Sequence, residues 1–213
     1  MTARTKRHHS HPPHVSHELP ARARRYLDKR FDAMVVKVLP GEHYVSGERQ
    51  EMLVTILGSC VAACIHDPVA KVGGMNHFML PEAFDDEWGH ASAGMRYGNV
   101  AMERLINDVL TRGGTRRRLE VKVFGGANVL KGLSNIGHRN ADFVEAYLTA
   151  ENLPIAAHHL RGSQPRRIHY FPFSGRVMLL ELPRSDRYAV AREETSYNSK
   201  IQAKPVDGSV ELF

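Results

Sequence analysis

Residues 55–81, TILGSCVAACIHDPVAKVGGMNHFMLP, constrain this chain more than any other stretch. Two apolar runs flank Asp67-Pro68, and Asp then Pro are the preferred first two residues of a β-turn. A turn over residues 67–70 predicts a hairpin in which His66 faces Lys71, Ile65 faces Val72, Cys64 faces Gly73 and Cys60 faces His77. Directly opposed residues in an antiparallel pair share a face, with Cβ atoms about 4.5–5.5 Å apart. The hairpin therefore predicts a sulfur beside an imidazole.

That pair supports three readings. Cysteine hydrolases need a thiolate, a base for its proton and commonly a third group that holds the imidazole. Cys60 follows Leu57-Gly58-Ser59. The glycine lets the backbone turn tightly and leaves N–H groups around Ser59 and Cys60 free to face a developing oxyanion. His77 is the candidate base. Thr55, upstream on the preceding strand, is the candidate to orient it. Asn76 is next to His77, but strand alternation turns it to the other face.

The second reading is burial. A lone cysteine is most often a small buried hydrophobe, and Cys64, inside the apolar run 62–65, is read that way. The third is a metal site from Cys60, Cys64, His66 and His77, which share one nominal face. Four residues along a strand span about 13 Å at about 3.3 Å per residue, too far for one ion. On the residues alone, catalysis and simple burial both stay open.

The whole chain narrows the setting. Its 213 residues suffice for one domain with a proper core. Apolar runs fall short of the roughly 20 residues that cross a bilayer, and no membrane insertion is expected. Two cysteines make no disulfide framework, so two free thiols and a reducing, cytoplasmic setting are expected. The net charge of +6 is confined to one end: residues 1–30 carry eight Lys or Arg against two acidic residues, and the remainder balances at 21 against 21. With no basic patch on the folded part, a nucleic-acid partner is not expected.

Three segments follow from composition. Residues 1–33 read as a basic, His-rich, disordered tail, with five histidines before residue 18. Metal chelation by that tract is the competing reading. Residues 34–184 read as the folded domain. Residues 185–213, polar with scattered apolar side chains, read as a loosely attached tail. Within the domain, strands are expected at 34–40, 52–57, 60–66, 72–80, 119–124, 154–160, 168–171 and 176–182. A surface loop is expected at 82–95. Two helices are expected, at 100–112 capped by Asn99 and at 141–150 capped by Asn140. Strand groups separated by single helices suggest an α+β layered fold with mixed or antiparallel sheets.

A wider set of motifs carries a resemblance. Leu57-Gly58-Ser59-Cys60-Val61-Ala62, Asp67-Pro68 and Gly74-Met75-Asn76-His77-Phe78-Met79-Leu80-Pro81 are followed by Arg96-Tyr97-Gly98 and Phe124-Gly125-Gly126-Ala127. Then come Asn135-Ile136-Gly137, Arg139-Asn140, Tyr170-Phe171-Pro172 and Gly175-Arg176-Val177. In this order they resemble the CheD family of bacterial chemoreceptor glutamine deamidases, over about residues 40–182. Arg161-Gly162 stands where that family usually has Gly-Gly.

The resemblance implies a three-layer sandwich with two main helices. It implies Cys60 as nucleophile, His77 as base and Thr55 as third member, with no cofactor or metal. The implied partners are the cytoplasmic helices of chemoreceptors and a CheC-like phosphatase. The implied reaction turns glutamine side chains into glutamate with release of ammonia, with hydrolysis of glutamyl methyl esters as related chemistry. A non-catalytic regulator that binds the same partners is the alternative.

Overall fold

The computed structural model describes residues 25–81, 90–129 and 135–203. Its strands are β1 (Arg25–Asp28), β2 (Ala33–Lys37), β3 (His43–Ser46), β4 (Glu51–Leu57), β5 (Val61–Asp67), β6 (Val72–Asn76), β7 (Glu120–Gly125), β8 (Ile155–Leu160), β9 (Arg166–Phe171) and β10 (Arg176–Glu181). Its α-helices are α1 (His90–Thr111), α2 (Ile136–Ala150) and α3 (Arg187–Ala203). The strands form two five-stranded sheets, ordered β1-β2-β4-β9-β10 and β3-β6-β5-β7-β8. Each sheet is mixed: β2–β4 and β7–β8 are parallel, and the other pairs are antiparallel.

β5 explains the layering. All seven of its residues are buried, as expected of a strand covered on both faces. Val61, Ala63 and Ile65 pack with Met102, Leu105 and Val109 of α1 and Val144 and Leu148 of α2. Cys60, Ala62 and Cys64 turn the other way, onto Leu53, Leu57, Ile168 and Tyr170 of the first sheet. The result is sheet, sheet, then helices, the expected α+β three-layer sandwich.

The hairpin forms, with its register moved by two residues. Asp67 pairs with Val72, His66 with Gly73 and Cys64 with Met75. Residues 68–71 make a four-residue connection, with Lys71 at φ 55°, so the turn consumes two residues more than expected. Because side chains alternate with period two, an even shift keeps every face. Cys60 is therefore not directly opposite His77, but both still point toward the first sheet.

Asp67 holds this turn. Its carboxylate is fully buried and accepts N–H bonds from Val69 (2.9 Å), Ala70 (3.0 Å) and Thr115 (2.7 Å), and from the Arg118 guanidinium at 3.0 and 3.1 Å. Arg118 and these N–H groups hold its pKa well below the usual carboxylate range. Its contribution is complete above about pH 4 and is lost as pH falls through its folded pKa. Asp67→Ala leaves donors unpaired and is expected to lower the unfolding midpoint by roughly 5–10 °C, read by thermal denaturation.

Several expectations are corrected. Residues 25–28, assigned to the tail, form a strand antiparallel to β2, and Arg25 also pairs with Glu51 of β4 at 2.5 Å. Residues 90–95, read as loop, belong to α1, so Asn99 lies inside that helix and does not cap it. The rest of that loop, with Trp88, lies outside the described residues, as do residues 1–24 and 204–213. Asn140 also lies inside its helix, fully buried. Residues 187–203, expected in a loose tail, form α3. Rows at 190/191, 194 and 197/198 give α3 a helical stripe of buried and half-buried positions.

Candidate active site

β4 carries Thr55 on its inner face, and the chain leaving β6 carries His77 toward it. Thr55 Oγ1 lies 2.7 Å from His77 Nδ1 and 2.8 Å from the Val38 carbonyl oxygen, to which it donates. With its only proton committed to Val38, Thr55 is left to accept from His77. That places a proton on Nδ1 and a lone pair on Nε2. Among the described residues, Nε2 is buried and has no hydrogen-bond partner.

The loop before β5 is held by its carbonyl groups. Ala127 N–H donates to Gly58 O (2.7 Å), Asn140 Nδ2 to Ser59 O (2.8 Å) and Gly126 N–H to Cys60 O (2.8 Å). Asn140 also accepts from Leu80 N–H at 2.9 Å. Gly125 must be glycine: its φ is 113°, and a Cβ there would stand 2.1 Å from Cys60 O. Each trans peptide sets its C=O opposite the next N–H, so tying the Gly58 and Ser59 carbonyls to the body of the fold turns the Ser59 and Cys60 N–H groups the other way, where the Gly58 N–H converges with them. A nest of this kind attracts negative charge.

The nest is filled by Glu194 of α3. Its Oε1 accepts from Gly58 N–H (2.9 Å) and Cys60 N–H (3.0 Å), and its Oε2 from Ser59 N–H (2.8 Å) and Ser59 Oγ (2.7 Å). Cys60 Sγ, a His77 ring nitrogen and a Glu194 carboxylate oxygen all lie within 4.8 Å of one another. The structure thus brings together Thr55, His77 and Cys60, and adds Glu194. Sequence reasoning missed Glu194 and gave Asn140 a capping role in place of its loop-holding one.

Enclosure sets the charge states. Cys60 is fully buried, and burial pushes its thiol well above the usual value, with the Glu194 carboxylate adding to the rise. Burial pushes His77 down to about 4, against the opposing pull of Glu194 and the Val38 carbonyl. With α3 in place the pair rests as neutral thiol and neutral imidazole. A cleft of about 400 Å³ reaches Thr55 and His77 from outside, and Val190 and Glu194 of α3 form one wall.

Cys, His and Glu are also zinc-ligand types. Here each carboxylate oxygen already takes two hydrogen bonds from donors whose positive ends converge on it, the environment of an anion site and not of a cation. Cys64 and His66 stand outside the cluster. Cys64 is buried between the sheets, and His66 Nε2 meets the Phe173 carbonyl at 3.2 Å. Both cysteines are free. At the position of the family's first loop glycine, Arg161 adopts φ 65°. That left-handed backbone is held by its 2.6 Å pairs to Asp142 and Glu145.

The family model for CheD chemotactic sensory transduction matches residues 79–181. A Rhodopseudomonas palustris protein named probable chemoreceptor glutamine deamidase CheD is 68% identical over 97% of this chain and 98% of its own. Proteins of the same name from Stenotrophomonas maltophilia and Thiobacillus denitrificans are 50% and 47% identical, covering 89% and 88% of this chain and 94% of theirs. Among the described residues, no helix is long and apolar enough to cross a membrane. Identity of this extent along nearly the full length of both chains means that the chain belongs to the CheD family.

Proposed function

We propose that this chain is a protein-glutamine glutaminase that converts glutamine side chains of bacterial chemoreceptors to glutamate. The observation that carries the reading is a sulfur within 4.8 Å of a nitrogen of an imidazole whose Nδ1 is fixed by Thr55, next to three converging backbone N–H groups. Relatives that bear the deamidase name support the substrate.

Each group has one task. His77 Nε2 takes the Cys60 proton, and the thiolate adds to the side-chain carbonyl carbon. The oxygen gains negative charge inside the nest of Gly58, Ser59 and Cys60 N–H groups, which need no reorganisation at that moment. The tetrahedral intermediate collapses, the C–N bond breaks, and ammonia leaves with the proton from His77. A water loses its proton to His77 and hydrolyses the thioester, returning the thiol. Thr55, by accepting from Nδ1, keeps Nε2 as the nitrogen that takes and gives the proton. The same steps would hydrolyse a glutamyl methyl ester. The reaction takes place in the cytoplasm, on the receptor's helices beneath the membrane, where a CheC-like phosphatase is a second partner.

Intact-mass measurement tests this directly. A receptor cytoplasmic fragment incubated with the protein gains about one dalton per converted glutamine. An unchanged mass at high enzyme concentration removes the reading.

A further inference from the structure

The nest that would receive the substrate carbonyl is occupied by a glutamate, the side chain that the proposed reaction produces. Glu194 is buried, and its carboxylate takes every N–H of residues 58–60. The Ser59 and Cys60 N–H groups are also held from behind, because Ala127 and Asn140 tie the Gly58 and Ser59 carbonyls of the same peptide units. Gly58 leaves the room: a Cβ at that position would stand 2.8 Å from Glu194 Oε2 and 3.0 Å from Val190 Cγ1.

The carrier is a helix with one docked face. Val190 lies against Gly58, Ala191 packs with Ala127 and Val129, and Tyr197 packs beside the inter-sheet core with its hydroxyl bonded to that of Tyr97. These positions follow the spacing of a helix laid into a groove. While the helix lies there, Cys60 has no exposed surface, so no glutamine of another chain can reach it.

We propose that α3 is a resident product mimic: Glu194 sits in the subsite for the substrate glutamine and the helix fills the groove a receptor helix must enter, so the two exclude one another. This rests on the deamidase reading above. It makes the enzyme self-restrained, with receptor binding and α3 release coupled. The substrate is then a helix that presents glutamine where α3 presents Glu194, beside small and apolar side chains at the places of Val190 and Ala191.

The replacement Glu194→Gln turns the mimic into a substrate. Cys60 Sγ bonds to the side-chain carbon at position 194, the C–N bond breaks, and ammonia departs with the proton from His77. Water then cleaves the thioester, regenerating the thiol and leaving a carboxylate. Peptide mass analysis of the purified full-length E194Q chain reads this as a gain of about one dalton at position 194. The gain is expected with Cys60 present and absent in E194Q combined with Cys60→Ala.

An amide that persists at position 194, in a preparation that deamidates a receptor cytoplasmic fragment, overturns the proposal and leaves the deamidase reading standing. Full-length Glu194→Ala gives an independent measure. Removing an internal competitor raises kcat/KM for the receptor fragment about tenfold and leaves kcat unchanged, because only the open fraction binds substrate. An unchanged or lower kcat/KM in Glu194→Ala shows that α3 only props the loop, and overturns the proposal. Failure of every preparation to convert either position 194 or the receptor fragment removes the deamidase reading, and this inference with it.

Discussion

Cys60→Ala yields a folded protein that deamidates a receptor fragment at least about 10⁴-fold more slowly, because the covalent route is gone and no other side chain replaces it. The substitution removes one sulfur from a fully enclosed position. Ala62 and Ala63, on the buried strand that follows it, show that alanine fits these layers. A cost of about 1 kcal/mol is expected, which moves the melting midpoint of a chain this size by roughly 2–4 °C. Activity and fold are thus measured apart, by mass gain in the receptor fragment and by thermal denaturation. The same variant separates the enzyme from a non-catalytic regulator. Receptor binding that survives in Cys60→Ala while conversion stops shows both roles in one surface. Conversion that persists shows that the sulfur is not the nucleophile.

His77→Gln is expected to lower kcat by roughly 10²–10⁴-fold, the usual contribution of a positioned acid–base group. Glutamine can keep a bond to Thr55 but cannot carry a proton from sulfur to nitrogen. The second signature lies in stability. Burial holds the folded pKa of His77 at about 4, below its value in an unfolded chain. As pH falls below about 6.5 the unfolded chain binds a proton that the folded one refuses, so stability declines toward pH 4 by at most about 1.4 kcal/mol per unit. Above about 6.5 both states are neutral there and the effect vanishes. Denaturant unfolding from pH 4 to 8 should show this slope in the native protein and a shallower one in His77→Gln. Equal slopes would mean that His77 is not the group held neutral.

How much of this was legible depends on the distance over which each feature is specified. Cys60 and His77 share a face because strand alternation has period two, and the Asp67-Pro68 turn makes the two strands neighbours. The exact pairing was not legible, since it depends on Lys71 taking a left-handed conformation that lengthens the connection. Asn140 looked like a helix cap because caps and buried hydrogen-bonding asparagines are the same residue type. Only the approach of the 58–60 loop to α2 makes it a clamp.

By itself, then, the sequence determined the layered α+β class, the sulfur–imidazole pair and the chain of motifs that marks the family. These rest on local periodicity and short spacing. Tertiary structure alone decided three things: that β4 stacks where Thr55 can hold His77, that three backbone N–H groups converge beside Cys60, and that α3 covers them. α3 escaped notice for a physical reason. A hydrophobic stripe is counted by its apolar members, and the central member of this one is Glu194. A carboxylate is stable in such a place only where donors converge on it, and those donors come from a loop more than 130 residues earlier in the chain.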